Sequence, residues 1–435
     1  MSPHEHAVLP PRRHQAALVF IFVTVMLDML AFGIIIPVLP HLIVELIGGN
    51  IAQGAVWVGI FATLFMAMQF VFSPIQGALS DRFGRRAVIL ISSFGLGADF
   101  VLMALAPALW VLFLGRAISG ACAASFSTAN AYIADITPRD KRAAAYGLLG
   151  AAFGVGFIVG PALGGMLGHY AIRLPFWTAA ALSLVNFCYG YFVLPESLPA
   201  ERRAPRFDWR HANPFGSVLL LKRYPQVFGL AAVFFLLNLA QYSINATYVL
   251  YTDFRFSWGP QTVGYTLALV GLCTALVQAV LVRRLSPRIG ERRMILLGLV
   301  FLTVGYVIFG LAGVAWLFLL AIPILCLGGL AGPPAQALIT HMVDPTEQGR
   351  LQGALTSLAS LAGIFGPALF ANLFALFISD HAPIAKLPGA AFLLAAVLLA
   401  AAAWLAAHVT RGMQPALAAN EPAPLPVAGP SEPLP

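Results

Sequence analysis

The sequence has little charge. Of its 435 residues only 10% are Asp, Glu, Lys or Arg, while 60% are hydrophobic. A water-soluble domain carries about 25% charged and about 45–50% apolar residues. An apolar excess of this size excludes a water-soluble fold and makes lipid the solvent for much of the surface. Cysteine is scarce too: Cys122, Cys188, Cys273 and Cys326 all lie in apolar runs without a CxxC spacing. That excludes the usual zinc and redox motifs and leaves four small buried apolar residues. None of the nine histidines sits in the middle of an apolar run, so no metal site is expected in the membrane. There is no GxxxxGK[ST] loop to couple ATP directly, and no HExxH or GxSxG signature. GVGFIVG (154–160) has a dinucleotide-loop look, but it lies inside an apolar run and follows no strand. No enzymatic activity is expected, and no cofactor beyond a proton gradient. The net charge of +8 comes from short basic clusters between apolar runs, a distribution that does not suit nucleic acid.

What the sequence does contain is a series of long apolar runs. A hydrocarbon core of about 30 Å needs about 20 apolar residues per helix. The runs predict twelve transmembrane helices: 16–40, 54–76, 87–106, 109–133, 144–168 and 174–194, then 225–251, 259–282, 294–313, 315–336, 351–376 and 387–409. Residues 1–15 read as an N-terminal tail whose polar start, with Arg12 and Arg13, does not resemble a cleaved signal. The first six helices occupy 16–194, the Pro-rich, charged stretch 195–224 is a linker, the second six occupy 225–410, and 411–435 is a Pro- and Ala-rich tail expected to be disordered. With the N-terminus inside, the inner segments carry 21 Lys and Arg, the outer loops only Arg173, Arg255 and Lys386, and Arg116 lies within a span. The positive-inside rule then places both termini in the cytoplasm.

The two halves repeat. GALSDRFGRRAVIL (77–90) aligns with RRLSPRIGERRMIL (283–296), and VGPAL (159–163) with FGPAL (365–369). Gly84 matches Gly290, Gly147 matches Gly353 and Gly160 matches Gly366, all at one offset of 206 residues. A shared offset for separate motifs predicts two six-helix bundles in parallel orientation, related by an axis along the membrane normal, with a site between them.

These residues resemble the major facilitator superfamily. GALSDRFGRR is similar to its motif A, and GAAFGVGFIVGPALGG (150–165) to its motif C, which accompanies export by antiport. LDMLAFGIIIPVLPHL (27–42), GRAISGACAASFSTANAYIADITP (115–138) and LPES (194–197) resemble the tetracycline-efflux branch of the proton-coupled drug antiporters, and the resemblance runs from about residue 17 to 410. It implies an all-α membrane protein, a monomer in a bacterial inner membrane, that exchanges protons for a small amphipathic, tetracycline-like compound. That branch carries a histidine in its eighth span and an aspartate in its ninth, where this sequence has Thr274 and Phe301. Uptake or symport of a polar metabolite on the same fold is the alternative, and a non-transporting receptor or intramembrane enzyme is a third.

Several residues are candidates for the mechanism. Asp28 lies about 15 Å into the first span at 1.5 Å per residue, where an ionised carboxylate is costly unless paired, hydrated or protonated. It is either a proton carrier or a static polar anchor. Asp99 and Arg116 flank a short turn at equal depth, so a hairpin brings them together, either for proton coupling or only to make insertion tolerable. In motif A, Gly77, Asp81, Arg82, Gly84, Arg85 and Arg86 form a turn: Gly84 permits a positive φ, Asp81 can face a helix N-terminus, and Arg85 can reach Asp135. Gating is one reading, positive-inside anchoring the other. Gly156, Gly160, Gly164 and Gly168, with Pro161 and Gly165, form a ridge that allows close helix approach. Asn238, Gln241, Tyr242 and Asn245 share one helical face; with Gln69 and Gln278 they either line a substrate cavity or bond neighbouring helices.

Overall fold

The computed structural model describes residues 11–123, 125–137, 141–199, 201, 203, 225–342, 348–380, 382 and 386–411. Most of the expected linker 195–224, the start of the N-terminal tail and the C-terminal tail beyond 411 lie outside these residues. Among the described residues every regular element is helical. The first half contains α1 (Pro11–Ile35), α2 (Leu39–Leu46), α3 (Ile51–Phe83), α4 (Arg85–Leu105), α5 (Leu109–Cys122), α6 (Ser125–Ile136), α7 (Arg142–Tyr170) and α8 (Leu174–Val193). The second contains α9 (Pro225–Phe256), α10 (Pro260–Leu276), α11 (Arg283–Ile289), α12 (Glu291–Leu311), α13 (Ala315–Cys326), α14 (Gly332–His341), α15 (Gln348–Ile378) and α16 (Ala390–Val409).

Among the described residues, eleven helical stretches are long and apolar enough to cross a membrane. The remaining expected span, 109–133, is present as the shorter pair α5 and α6. Its repeat partner is interrupted at the equivalent place, where a 3-10 turn, Leu327–Leu330, separates α13 from α14. The eighth span is interrupted as well, by a π-helical turn at Val277–Val282 between α10 and α11. Its counterpart α3 carries Pro74 inside the helix at the matching register, and a proline there removes one backbone hydrogen bond. Pro37 ends α1, and Pro40 opens α2 within its first two residues. The α3–α4 and α11–α12 turns are built alike. Gly84 and Gly290 adopt φ of 99° and 76°, and each amide bonds back to a serine carbonyl, Ser80 at 3.1 Å and Ser286 at 3.2 Å. A left-handed φ at these two places favours glycine.

Each half is a bundle. α1 packs on α7 and α8, α4 on α8, and α3 on α5; in the second half α9 packs on α15 and α16, and α12 on α16 and α13. The halves meet along α3 with α15 and α7 with α10. One apolar core runs through both halves at the end carrying Ile35, Leu42, Tyr251 and Phe318. At the opposite end, near the Gly84 turn, the core divides into two separate clusters, one around Phe20, Ile89 and Tyr132 and one around Leu230, Ile339 and Leu355. Glycines tell the same story: Gly165 and Gly264 pack α7 on α10, whereas a Cβ built at Gly147, Gly150 or Gly154 meets nothing within 4 Å. The halves are therefore joined at one end and part toward the Gly84 end. Trp110, Tyr170, Phe192, Trp316 and Trp404 are exposed on the periphery, as suits aromatics at a lipid boundary.

Candidate functional site

Asp28 sits on α1 with 7% exposure. Its Oδ1 accepts a hydrogen bond of 3.0 Å from Nδ2 of Asn186 on α8, which also donates to the Thr24 carbonyl at 3.3 Å. A neutral amide can serve either protonation state, because the carboxyl keeps an acceptor oxygen in both. Asn186 was not singled out from sequence, although a lone amide in the apolar run SLVNFCYG is a detectable signal.

The second group is a triad rather than a pair. Asp99 on α4 is fully buried and Arg116 on α5 is nearly so. Arg116 Nη2 lies 3.9 Å from Asp99 Oδ2, an ion pair without a direct hydrogen bond. Ser119 bridges them: it accepts from Arg116 at 3.1 Å and donates to Asp99. One helical turn separates Arg116 from Ser119, so both face α4. Gly115 leaves room for the carboxylate, which a Cβ there would strike. The guanidinium also lies 5.1 Å from the Phe65 ring centroid, a contact that stabilises a desolvated cation. Asp99 Oδ1 and Arg116 Nε find no hydrogen-bond partner among the described residues. Nearby, Gln76 of α3 donates at 2.5 Å to the Ala121 carbonyl, close to where the fourth span is interrupted.

At the Gly84 turn, Arg85 is the hub. It pairs with Asp81 at 2.5 Å and with Asp135 at 3.1 Å, and donates to Ser80. Asp81, in the last turn of α3, pairs across the Gly84 turn with the side chain of Arg85, the first residue of α4, while the carboxylate that accepts a backbone amide at the N-terminus of α4 belongs to Glu196. One Glu196 oxygen accepts from the amides of Arg85, Ser197 and Leu198 at 2.9, 3.0 and 3.1 Å. Unsatisfied N–H groups at a helix start attract such a carboxylate. Ser197 donates to Asp135 at 3.1 Å, so the LPES segment is bound into the same cluster. Arg86 reaches the Tyr191 carbonyl at 2.6 Å, while Arg82 lies over the Phe83 ring. A Cβ built on Gly77 meets nothing within 4 Å.

The glycine ridge faces two ways. Gly156, Gly160 and Gly164 bring α7 against α1 at Met29, Gly33 and Ile34, while Gly165 meets Gly264 of α10 and Gly168 meets Val38 and Pro260. Pro161 touches both sides, through Gly33 and Gly264. One helix thus serves packing within a half and contact between halves. Of the six cavity candidates, Tyr242 crosses between the halves: its hydroxyl approaches Met66 Sδ at 3.6 Å and its ring lies against Gly363 and Gly366. Asn238 donates to its own helix at the Phe234 carbonyl, 2.8 Å away. Gln241, Asn245 and Gln278 are exposed, and Gln69 is half-buried. Gln278 lies on the π-helical turn, a distortion common at functional sites. Among the described residues no hydrogen bond joins these six to one another. Thr274 bonds Cys326 Sγ at 3.5 Å.

Residues 21–367 and 230–433 match the family model described as Major Facilitator Superfamily. A tetracycline resistance protein of class C from Escherichia coli is 37% identical over 395 residues, covering 91% of this chain and 99% of that protein. A class G tetracycline resistance protein from Vibrio anguillarum is 38% identical over 348 residues, covering 80% and 88%. A bacterial homologue of the human lysosomal transporter Spinster, solved inward-facing and unoccupied, has a TM-score of 0.74 at 15% identity, covering 92% of this chain and 98% of its own. That likeness concerns the fold alone.

Proposed function

This chain belongs to the major facilitator superfamily, and from that premise we propose that it exports a small amphipathic compound in exchange for protons. It is a multi-pass membrane transporter and not an enzyme. The observation that carries the proposal is the placement of titratable groups. Asp28 and the Asp99–Ser119–Arg116 triad are buried within the first half, where an ionisable residue is costly and marks a proton or substrate path. The buried polar residues described in the second half are Ser, Thr and Tyr. That the relatives are tetracycline resistance proteins supports export of a tetracycline-like drug. Thr274 and Phe301 make the second half less polar than that branch, which favours a more apolar member of the same substrate class. The exposed amides Gln241, Asn245 and Gln278 offer it uncharged hydrogen bonds.

In this reading the protein is a monomer of a bacterial inner membrane with both termini in the cytoplasm, and the Gly84 end faces inward. The halves part at that end, as a carrier open to the cytoplasm requires. Protons enter from outside, occupy Asp28 or the Asp99 triad, and leave inward as the halves rock. The test is uptake into everted membrane vesicles, with tetracycline as the first probe and a panel of amphipathic drugs after it. Respiration-driven uptake that a protonophore abolishes supports antiport. Uptake unaffected by the protonophore, or none for any probe, overturns it.

A further inference from the structure

Two side chains outside the buried groups face each other across the halves. His41 lies on α2 and Asp253 in the last turn of α9, at the end where the halves are joined. His41 Nε2 is 3.8 Å from Asp253 Oδ2, and the two side chains are 15% and 28% exposed. The other ring nitrogen, Nδ1, lies 2.9 Å from the Pro37 carbonyl oxygen. A carbonyl only accepts, so Nδ1 carries its hydrogen in either charge state. The neutral ring must then present a bare lone pair at Nε2 to a carboxylate, an unfavourable facing of two acceptors. A second proton, held between Nε2 and the carboxylate, turns the contact into an attraction. The sequence explains the aim of the ring: Pro37 ends α1, and His41 lies four residues on, within reach of its carbonyl.

We propose that His41 Nε2 is a proton-binding site whose occupancy latches α2 of the first half to α9 of the second through Asp253. Among the described residues of the elements packed here, other charged groups are few. On α2 itself there is Glu45, exposed and one turn away. On α9 there is Arg255, which donates to the Ala312 carbonyl at 3.3 Å. α3, the other helix packed on α2, brings no charged residue between Ile51 and Asp81. The proton comes from the aqueous phase at this end and returns to it when the latch opens, so it biases the carrier without crossing. Given the orientation proposed above, that phase is the outside. External acidity then favours the state open to the cytoplasm, in which a drug exporter loads its substrate.

The test is hydrogen–deuterium exchange of the full chain in lipid nanodiscs, which needs neither substrate nor gradient and so stands apart from the transport reading. Exchange is compared at about pH 6 and about pH 8, after correction for intrinsic rates. Peptides covering 36–50 and 250–258 should exchange several-fold more slowly at the lower pH in the parent. His41→Gln and Asp253→Asn should each abolish that difference, and His41→Lys, a permanent cation, should hold the slow rate at both pH values. Peptides from α12, remote from the pair, report whether each variant is folded. An unchanged pH difference in His41→Gln overturns the proposal, as does a parent protein with no difference. Loss of proton-driven transport with the pH difference intact would overturn the transport reading and leave the latch standing.

Discussion

Replacing Asp28 by Asn tests the proton route directly. Asn186 donates to Asp28 Oδ1 at 3.0 Å and to the Thr24 carbonyl at 3.3 Å. An amide at position 28 keeps an acceptor oxygen in the same place, so what changes is a charge-assisted bond becoming a neutral one, about 1 kcal/mol. Removing a charge that is costly in the membrane offsets part of that. Asp28→Asn should therefore insert and melt much like the parent. Asp28→Ala takes the acceptor away from a buried N–H and should cost about 1–3 kcal/mol. The functional change is larger. With one proton exchanged per substrate, each unit of ΔpH sustains about a tenfold concentration ratio, because one unit is worth about 1.36 kcal/mol. In proteoliposomes with an imposed ΔpH, the Asn variant should reach a ratio of about one, while substrate–substrate exchange survives. If it accumulates substrate as steeply as the parent, Asp28 is a structural polar group and the proton path runs through Asp99.

Further variants separate packing from mechanism. Ser119→Ala removes the hydroxyl between Asp99 and Arg116 and should destabilise by about 1–3 kcal/mol, read as a lower melting temperature in detergent, with reduced proton-driven uptake. Glu196→Ala strips the acceptor from the Arg85 amide at the start of α4 and from the amides of Ser197 and Leu198; transport should fall, and Glu196→Gln, which keeps an acceptor oxygen, should restore most of it. Asp81→Asn should leave stability unchanged, because that side chain is 55% exposed, yet slow turnover if the Arg85 hub is remade in each cycle. Gly164→Ala forces a methyl against the Ile34 backbone and should cost about 1–3 kcal/mol, measured by thermal unfolding.

Much of the fold was legible because lipid imposes a coarse rule: a span is a long apolar run, and the offset of 206 residues marks two repeated halves. Hydropathy does not register interruptions within a run, so the division of 109–133 into α5 and α6 and the π-helical turn at Val277–Val282 were not visible. Charged candidates stood out because an acid or base in an apolar run is conspicuous. Their partners did not: Asn186 and Ser119 are ordinary polar residues whose meaning comes from a neighbouring helix. Glu196 belongs to a quoted motif, but nothing in LPES says that its carboxylate turns back to a helix more than a hundred residues earlier. The face shared by Asn238, Gln241, Tyr242 and Asn245 is real by spacing, yet Asn238 bonds its own backbone and Tyr242 crosses between the halves. Periodicity gives a face and cannot say what lies opposite it.

The repeat also shows where the halves have diverged. At the common offset, Asp28 corresponds to Phe234, Asp99 to Gly305 and Arg116 to Ile322. Every buried charge described in the first half is thus replaced in the second by an apolar residue or glycine, on a backbone of the same plan. The turns were kept: Gly84 and Gly290 share a left-handed φ, and the arginines two residues on, Arg86 and Arg292, each bond the end of their half's last helix, at Tyr191 and Thr410. The clamp over the turn was not kept, since the Glu196 carboxylate crowds Gly84 while a Cβ on Gly290 meets nothing within 4 Å. A symmetric pair of proton-handling halves would desolvate charge twice, at several kcal/mol for each buried ion. Confining charge to one half avoids the second cost and leaves the other half's surface apolar, which suits a partly apolar substrate. The turns must stay paired because both bundles move against the same interface, whereas the chemistry needs only one of them.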